Sequence, residues 1–251
     1  MHRIHADQPL ASPGQTMLIT GDEAEHAIRS KRLEAGENVE LLDGRGGVAA
    51  AVVVHAGRAP AGRRGESALE VRIERVGHVE QTRPVVEVWA ATPKGSRVDD
   101  MIDQLTQVGA ASWTPLHCDR SVVNPGQTKL HRLDRIAWEA AKQAGRAWVL
   151  QVNPERPFAD ALAQESAGTR VVVAHAGEPS YAPATGEHSG RIRLVIGPEG
   201  GFSDAELARA EAAAERSDGG LVLASFGPHT MRIETAAAVA AAVILSTEGV
   251  R

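Results

Sequence analysis

The sequence predicts an α/β fold in which a small β-rich N-terminal domain precedes a larger domain built on a parallel sheet. Three observations predict it. Before residue 77 the apolar residues come in short runs separated by turn residues, the pattern of paired strands. After residue 84 strand-like runs alternate with helical ones, which is how parallel strands and their covering helices read. In the last quarter, two apolar runs each feed a glycine- or proline-rich loop that opens a helix. Open α/β sheets place their ligands at such carboxyl-end loops.

Taken in order, Asp22 and Glu25 mark a short helix reaching about Leu33. Val39–Leu42 and Val48–His55 read as strands joined by the turn Asp43-Gly44-Arg45-Gly46-Gly47. That glycine cluster joins two strands and opens no helix, so a hairpin is expected rather than a phosphate loop. A Gly-, Arg- and Pro-rich loop from Gly57 to Ser67 leads to a strand at Leu69–Val76. The first domain is therefore expected over 1–76, a linker over Gly77–Pro84, and the second domain over 84–251. In the second, a strand is predicted at Val85–Ala91, a helix at Arg97–Val108, a strand at Ser112–Leu116 and a helix from about Leu130 to Ala144. Strands near Val149, Val171 and Ile192 follow, and Gly177–Gly190 is loop-like.

The two late segments carry the chemistry. In Leu194-Val195-Ile196-Gly197-Pro198-Glu199-Gly200-Gly201-Phe202-Ser203, the glycines let the backbone turn and approach a ligand. Ser203 with Glu206 three residues on is a capping box, so a helix starts there. In Ser225-Phe226-Gly227-Pro228-His229-Thr230-Met231-Arg232-Ile233-Glu234-Thr235-Ala236, Gly227-Pro228 fixes a turn and two charged residues precede an apolar helix. That helix, Thr235–Leu245, carries no charge, and a helix apolar all round is expected to be buried all round.

Composition sets the bounds. The chain has 251 residues, 43% of them hydrophobic, enough for a sizeable core. Its single cysteine, Cys118, excludes an internal disulfide and a cysteine metal cluster and reads as a core thiol. No cluster has metal spacing, so no metal is expected. The start shows no basic patch followed by an apolar run, and the longest apolar run is too short for a bilayer; a soluble cytoplasmic protein is expected. A net charge of −5 does not favour nucleic acid, but binding needs only a local patch. Basic residues do cluster: Arg29, Lys31 and Arg32; Arg63 and Arg64; Lys129, Arg132, Arg135, Lys142 and Arg146. A dinucleotide-dependent oxidoreductase would need G-x-G-x-x-G after an early strand, which this chain lacks.

The pair of late loops resembles the cofactor loops of the SPOUT methyltransferases. More narrowly, it is similar to the bacterial 16S rRNA uracil-N3 methyltransferases, which carry a GPEGGFS loop and a later segment ending in TETA. The similarity extends to Thr92-Pro93-Lys94-Gly95-Ser96-Arg97, Asp119-Arg120-Ser121, Gln143 with Arg146, and His2-Arg3. It departs at His229 and Ile233, where that family has arginine and threonine, and near Gln104 and Gln107, where it has lysine and glutamate.

The resemblance implies a PUA-like N-terminal barrel that holds RNA and a SPOUT α/β domain with a deep trefoil knot. It implies a homodimer acting on 16S rRNA, within the small ribosomal subunit or its precursor. The reaction would move a methyl group from S-adenosylmethionine to N3 of a uridine in the decoding region near the 3′ end. Ile196, Gly197, Pro198, Glu199, Gly200 and Gly201, with Ser225, Phe226, Gly227, Pro228 and Met231, would hold the cofactor. Arg232 would face the uracil carbonyls, and Glu234 would take the N3 proton, cap the helix or hold Arg232. Arg3, Arg29, Lys31, Arg32, Lys94, Arg97, Arg120 and Arg146 would meet RNA. A ribose 2′-O or tRNA methyltransferase of the same superfamily, or a non-catalytic RNA-binding module, are the alternatives.

Overall fold

The structure, a computed structural model, describes residues 1–58, 66–123, 127–163, 168–183 and 190–249, with the backbone alone at 127–129. Arg63, Arg64 and the side chain of Lys129 lie outside the described residues. The chain forms two compact units, residues 1–81 with 141–149 and residues 82–140 with 150–251.

The first unit is a five-stranded sheet with one helix. Its strands are β1 (His2–His5), β2 (Thr16–Thr20), β3 (Asn38–Leu42), β4 (Gly47–Arg58) and β5 (Ser67–His78), in the order β1-β3-β4-β5-β2. β1 runs parallel to β3; the other pairs are antiparallel. Side chains alternate along a strand, so Ala49, Ala51 and Val53 of β4 turn to the core with Val39, Leu41, Leu69, Val71 and Ile73. The expected hairpin turn is present: Asp43 Oδ1 accepts from the backbone N–H of Arg45 and Gly47, each at 2.8 Å.

Three features of this unit differ from the sequence reading. β1 and β2 were not foreseen, because both are short and their partners are distant in sequence. Helix α1 (Gly21–Arg29) stops short of Leu33: Arg32 takes a left-handed φ of 55°, and Leu33 drops into the core. The segment 141–149, expected in the second domain, packs here instead. Lys142 is 6% exposed, and its Nζ donates to Glu23 at 2.8 and 3.0 Å. Gly46 N–H donates to the Ala147 carbonyl at 3.0 Å, and Trp148 Nε1 donates to the Val79 carbonyl at 2.7 Å.

The second unit is a parallel sheet with covering helices. In chain order it comprises β6 (Val85–Ala90), α2 (Arg97–Val108), β7 (Ser112–His117), α3 (Gln127–Ala144, whose last turn belongs to the first unit), β8 (Gln151–Val152), β9 (Arg156–Pro157) and α4 (Phe158–Ala161). Then come β10 (Thr169–Ala174), β11 (Arg191–Ile196), α5 (Asp204–Arg216), β12 (Leu221–Ala224) and α6 (Ile233–Glu248). The strand order is β12-β10-β11-β6-β7-β8, with β9 on β7. Covered on both faces, β6, β10 and β11 read as near-continuous apolar runs. The register aligns Ala90, Ile196, Ala174 and Ala224, so four strands end together on one edge.

α6 lies against α2, β6 and β11. It buries Ile233, Ala237, Ala240, Ala241 and Ile244, while Ala238, Val239, Ala242 and Val243 stay partly exposed. Burial all round, expected from its composition, is therefore not reached within one chain; an apolar stripe is left over.

Candidate functional site

The aligned strand ends carry the three loops that enclose a cavity of about 220 Å³. The loop after β10 contributes Ala174, His175 and Ala176; the loop after β11 contributes Gly197, Pro198, Glu199, Gly201 and Phe202 beyond Ile196; the loop after β12 contributes Ser225, Phe226, Gly227, His229, Thr230 and Met231. Ile233 and Ala236 of α6 complete the lining.

Local sequence sets each loop. After β11, Gly201 N–H donates to the Pro198 carbonyl at 2.8 Å, closing a turn in which Gly201 adopts a φ of 70°. Gly197 sits so close to Phe202 that a Cβ there would lie 3.1 Å from the ring. Phe202 is in turn buried against Phe158, with ring centroids 5.0 Å apart. The expected capping box is formed: Ser203 Oγ accepts from Glu206 N–H at 3.2 Å, and Glu206 Oε2 accepts from Ser203 N–H at 2.8 Å. Glu199 faces the first residue of α2, Arg97, at 3.7 Å, and Arg97 Nε donates to the Lys94 carbonyl at 3.2 Å.

The loop after β12 is held from behind. Ser225 N–H donates to the Pro179 carbonyl, Tyr181 N–H donates to the Ser225 carbonyl, and the Tyr181 ring stacks on Phe226 with centroids 5.0 Å apart. Tyr181 itself is anchored, its hydroxyl donating to the buried Glu248, which also accepts from Arg170 Nη1 at 2.8 Å. Burial, then Glu248, holds the Tyr181 hydroxyl well above its usual pKa, so it stays a donor. This network fixes the wall that Phe226 presents to the cavity.

Nine of the eleven residues expected to hold a cofactor line the cavity. Gly200 and Pro228 do not; a Cβ at Gly200 would meet Arg120 at 3.5 Å rather than the cavity. The loop after β10 was missed, because no glycine cluster marks it. Its place follows only from β10 pairing between β11 and β12. His229 and Ile233, two of the positions where the sequence departs from the family it resembles, both line the cavity.

Arg232 is the N-cap of α6 in extended conformation, with its side chain exposed. Glu234, in the first turn, is 8% exposed, and its Oε2 has no hydrogen-bond partner among the described residues. No ion pair joins it to Arg232 among those residues, and its side chain does not cap the helix, so neither structural role weighed for Glu234 is seen.

The residues expected to meet RNA fall into two groups. Lys94 and Arg120 lie on the loops after β6 and β7, and Arg97 is the first residue of α2, all on the edge that carries the cavity. Arg3, Arg29, Lys31, Arg32 and Arg146 belong to the first unit. There Arg3 is tied to Glu40 at 3.0 Å and to the Lys142 carbonyl at 2.9 Å, and Lys31 Nζ donates to the Arg3 carbonyl. Arg29 and Arg32 are exposed, Arg29 pairing with Glu25. Arg146 is partly buried, which pulls its guanidinium down to about 10. Cys118 is buried as expected, its thiol pushed up to about 12 by burial and then by Glu206 and Asp119.

Among the described residues no group of three or more His, Cys, Asp or Glu could hold a metal ion, and no helix is long and apolar enough to cross a membrane.

Residues 80–245 match a family described as an RNA methyltransferase domain, and residues 19–59 match an RNA methyltransferase PUA domain. The ribosomal RNA small subunit methyltransferase E of Mycobacterium tuberculosis is 32% identical over 240 residues, covering 92% of this chain and 86% of that one. The Bacillus subtilis protein of the same name is 27% identical over 233 residues, covering 88% and 86%. Among solved structures, a ribosomal RNA small subunit methyltransferase E from Neisseria gonorrhoeae bound to S-adenosyl methionine superposes with a TM-score of 0.84 at 23% identity, covering 99% of this chain and 98% of that one. A Legionella pneumophila methyltransferase in complex with the same cofactor gives 0.80 at 25% identity, with the same coverage.

Proposed function

The chain belongs to the RNA methyltransferase family, and from that premise we propose that it methylates 16S ribosomal RNA, using S-adenosylmethionine, at N3 of a uridine in the decoding region near the 3′ end. The observation that carries this reading is the cavity at the aligned ends of β10, β11 and β12.

The lining fits that cofactor. Ile196, Phe226, Met231 and Ile233 give apolar walls for a purine and a thioether-like chain, edged by loop backbone. Glu199 is among the lining residues, and among the described residues no lysine or arginine lines the cavity, which suits a ligand bearing a sulfonium charge. When bound, the cofactor supplies an electrophilic methyl group.

The chain's residues have two tasks. Uracil N3 carries a proton and is a poor nucleophile until it is lost. Arg232, exposed at the start of α6 beside the lining residues Met231 and Ile233, donates to the uracil oxygens where the negative charge develops. Glu234 is the carboxylate proposed to accept the N3 proton; it is not among the lining residues and its Oε2 is buried without a partner among the described residues, so its side chain must turn toward the substrate to do so. Exclusion of water by the bound RNA would favour attack of the anionic ring on the cationic sulfonium, because both charges would lose their hydration.

The same reading extends to the rest of the chain. The unit of residues 1–81 with 141–149 grips RNA, with Arg29 and Arg32 toward phosphate, and the unit of residues 82–140 with 150–251 carries out the transfer. The stripe of Val239, Ala242 and Val243 on α6 is covered by a second copy of the chain. The trefoil knot belongs to this proposal too; β12 pairs with β10 while α6 returns over β6, β11 and α2. The substrate places the protein in the cytoplasm.

Nucleoside mass spectrometry of 16S rRNA from cells lacking the protein tests this. Loss of N3-methyluridine at one site, restored by the wild-type gene, is expected. Loss of a ribose-methylated nucleoside, or of a tRNA modification, would assign the chain to another reaction of the superfamily. An unchanged nucleoside profile would leave only RNA binding.

A further inference from the structure

The loop after β7, Cys118–Ser121, makes a dense set of contacts to the loop after β11. Arg120 Nη1 donates to the carbonyls of Gly200 at 3.1 Å and Phe202 at 3.0 Å, and its guanidinium lies 3.8 Å from Asp204. Asp119 accepts from the Ser203 hydroxyl at 2.5 Å. Glu206, 2% exposed, divides its carboxylate between the loops: Oε2 takes Ser203 N–H within the capping box, and Oε1 takes Asp119 N–H at 2.9 Å. Each of these side chains is spent on the neighbouring loop.

We propose that Asp119, Arg120 and Glu206 form a clasp that presets the Glu199–Ser203 loop, and that Arg120 is a positioning residue for cofactor binding rather than an RNA contact. The inference rests on the reading of the cavity as a cofactor pocket. Glu199, Gly201 and Phe202 line that cavity, whereas Arg120 does not; it acts on the far side of the loop. A loop already held in its binding geometry loses less conformational freedom when the ligand arrives, which is how preorganisation raises affinity. The guanidinium suits the task because Nη1 serves both carbonyls while Nη2 faces Asp204, so one rigid plane holds three points of the loop in fixed relation.

The test uses the full chain and two measurements, calorimetric titration with S-adenosylmethionine and amide hydrogen exchange of the free protein. Arg120→Ala should bind the cofactor about tenfold more weakly, the order expected for losing charged hydrogen bonds at a half-exposed side chain. Exchange should accelerate at residues 199–204 and stay unchanged in β10 and β11. Arg120→Lys should recover part of the affinity. Glu206→Gln, which loses one of two accepted bonds, should loosen the same loop. Combined with Arg120→Ala, it should cost less than the product of the two single effects, because both act through one unit. Wild-type affinity and wild-type loop exchange in Arg120→Ala, with RNA affinity alone reduced, would overturn the clasp. If the wild-type chain bound no S-adenosylmethionine, the cofactor reading would fall instead, and loop exchange in the free variants would still decide the clasp.

Discussion

Three glycines in the loop after β11 should respond differently to the same alanine substitution. At Gly197 the added Cβ would lie 3.1 Å from Cε1 and Cζ of Phe202 and 3.2 Å from Cε2. Carbon atoms prefer about 3.5–4.0 Å, so the neighbour must give by a few tenths of an ångström. Phe202 has little room to retreat, being 3% exposed and packed on Phe158. Overpacking of this kind costs about 1–3 kcal/mol. For a chain of this size, each kcal/mol lowers the melting temperature by about 2–4 °C. Because Gly197 and Phe202 both line the cavity, cofactor affinity should fall as well. At Gly201 a Cβ meets nothing within 4 Å, but φ is +70°, so the cost is backbone strain of about 1–2 kcal/mol. At Gly200 the Cβ would make an ordinary 3.5 Å contact with Arg120, and no left-handed φ is involved, so alanine should be tolerated. Scanning calorimetry with and without S-adenosylmethionine should rank the damage Gly197, then Gly201, then Gly200. Wild-type melting and affinity in Gly197→Ala, or the greatest loss in Gly200→Ala, would refute the reasoning.

Three further outcomes are expected. Arg232→Ala should remain folded and bind cofactor, yet methylate RNA about 10²–10³-fold more slowly in single-turnover assays, with lysine restoring little; a near-normal rate removes Arg232 from the chemistry. A glutamate at Val239 or Val243 should leave light scattering showing a monomer or aggregate and abolish activity, whereas a monomeric, fully active wild type would end the dimer reading. Cys118, with its thiol raised to about 12, holds almost no thiolate at neutral pH and should not react with a thiol reagent until the chain unfolds; rapid labelling of the native protein would contradict its burial.

What the sequence discloses divides along a physical line. Features fixed by neighbours in the chain were legible. Arg97–Val108 was read to its ends, because Gly109 supplies the left-handed C-cap that stops it. The Ser203–Glu206 capping box spans three residues and could be read directly. Features fixed by partners far along the chain were not. Nothing near Glu206 shows that its second carboxylate oxygen serves Asp119, 87 residues away. β1 depends on pairing with β3, which a four-residue strand cannot announce. His175 lines the cavity because β10 sits between β11 and β12, an order set by the whole sheet. The site was accordingly legible in the two loops with strong turn chemistry and hidden in the third, and nothing near Gly200 shows that it faces Arg120 rather than the cavity.

The membership of residues 141–149 in the first unit has a consequence for how this protein is made and dissected. The chain enters that unit, leaves it at residue 82, and comes back with Lys142, Ala147 and Trp148. During synthesis the first unit therefore stays unfinished until residue 149 has left the ribosome, with Glu23 waiting for its lysine while residues 82–140 are made. A cut at any one point separates neither unit cleanly. Removing the leading residues takes away the partner and the packing of a lysine that had been 6% exposed, whereas replacing Glu23 alone would leave that charge buried and unpaired, which costs far more. The two units are joined less like beads on a string than like cloth caught by a returning stitch.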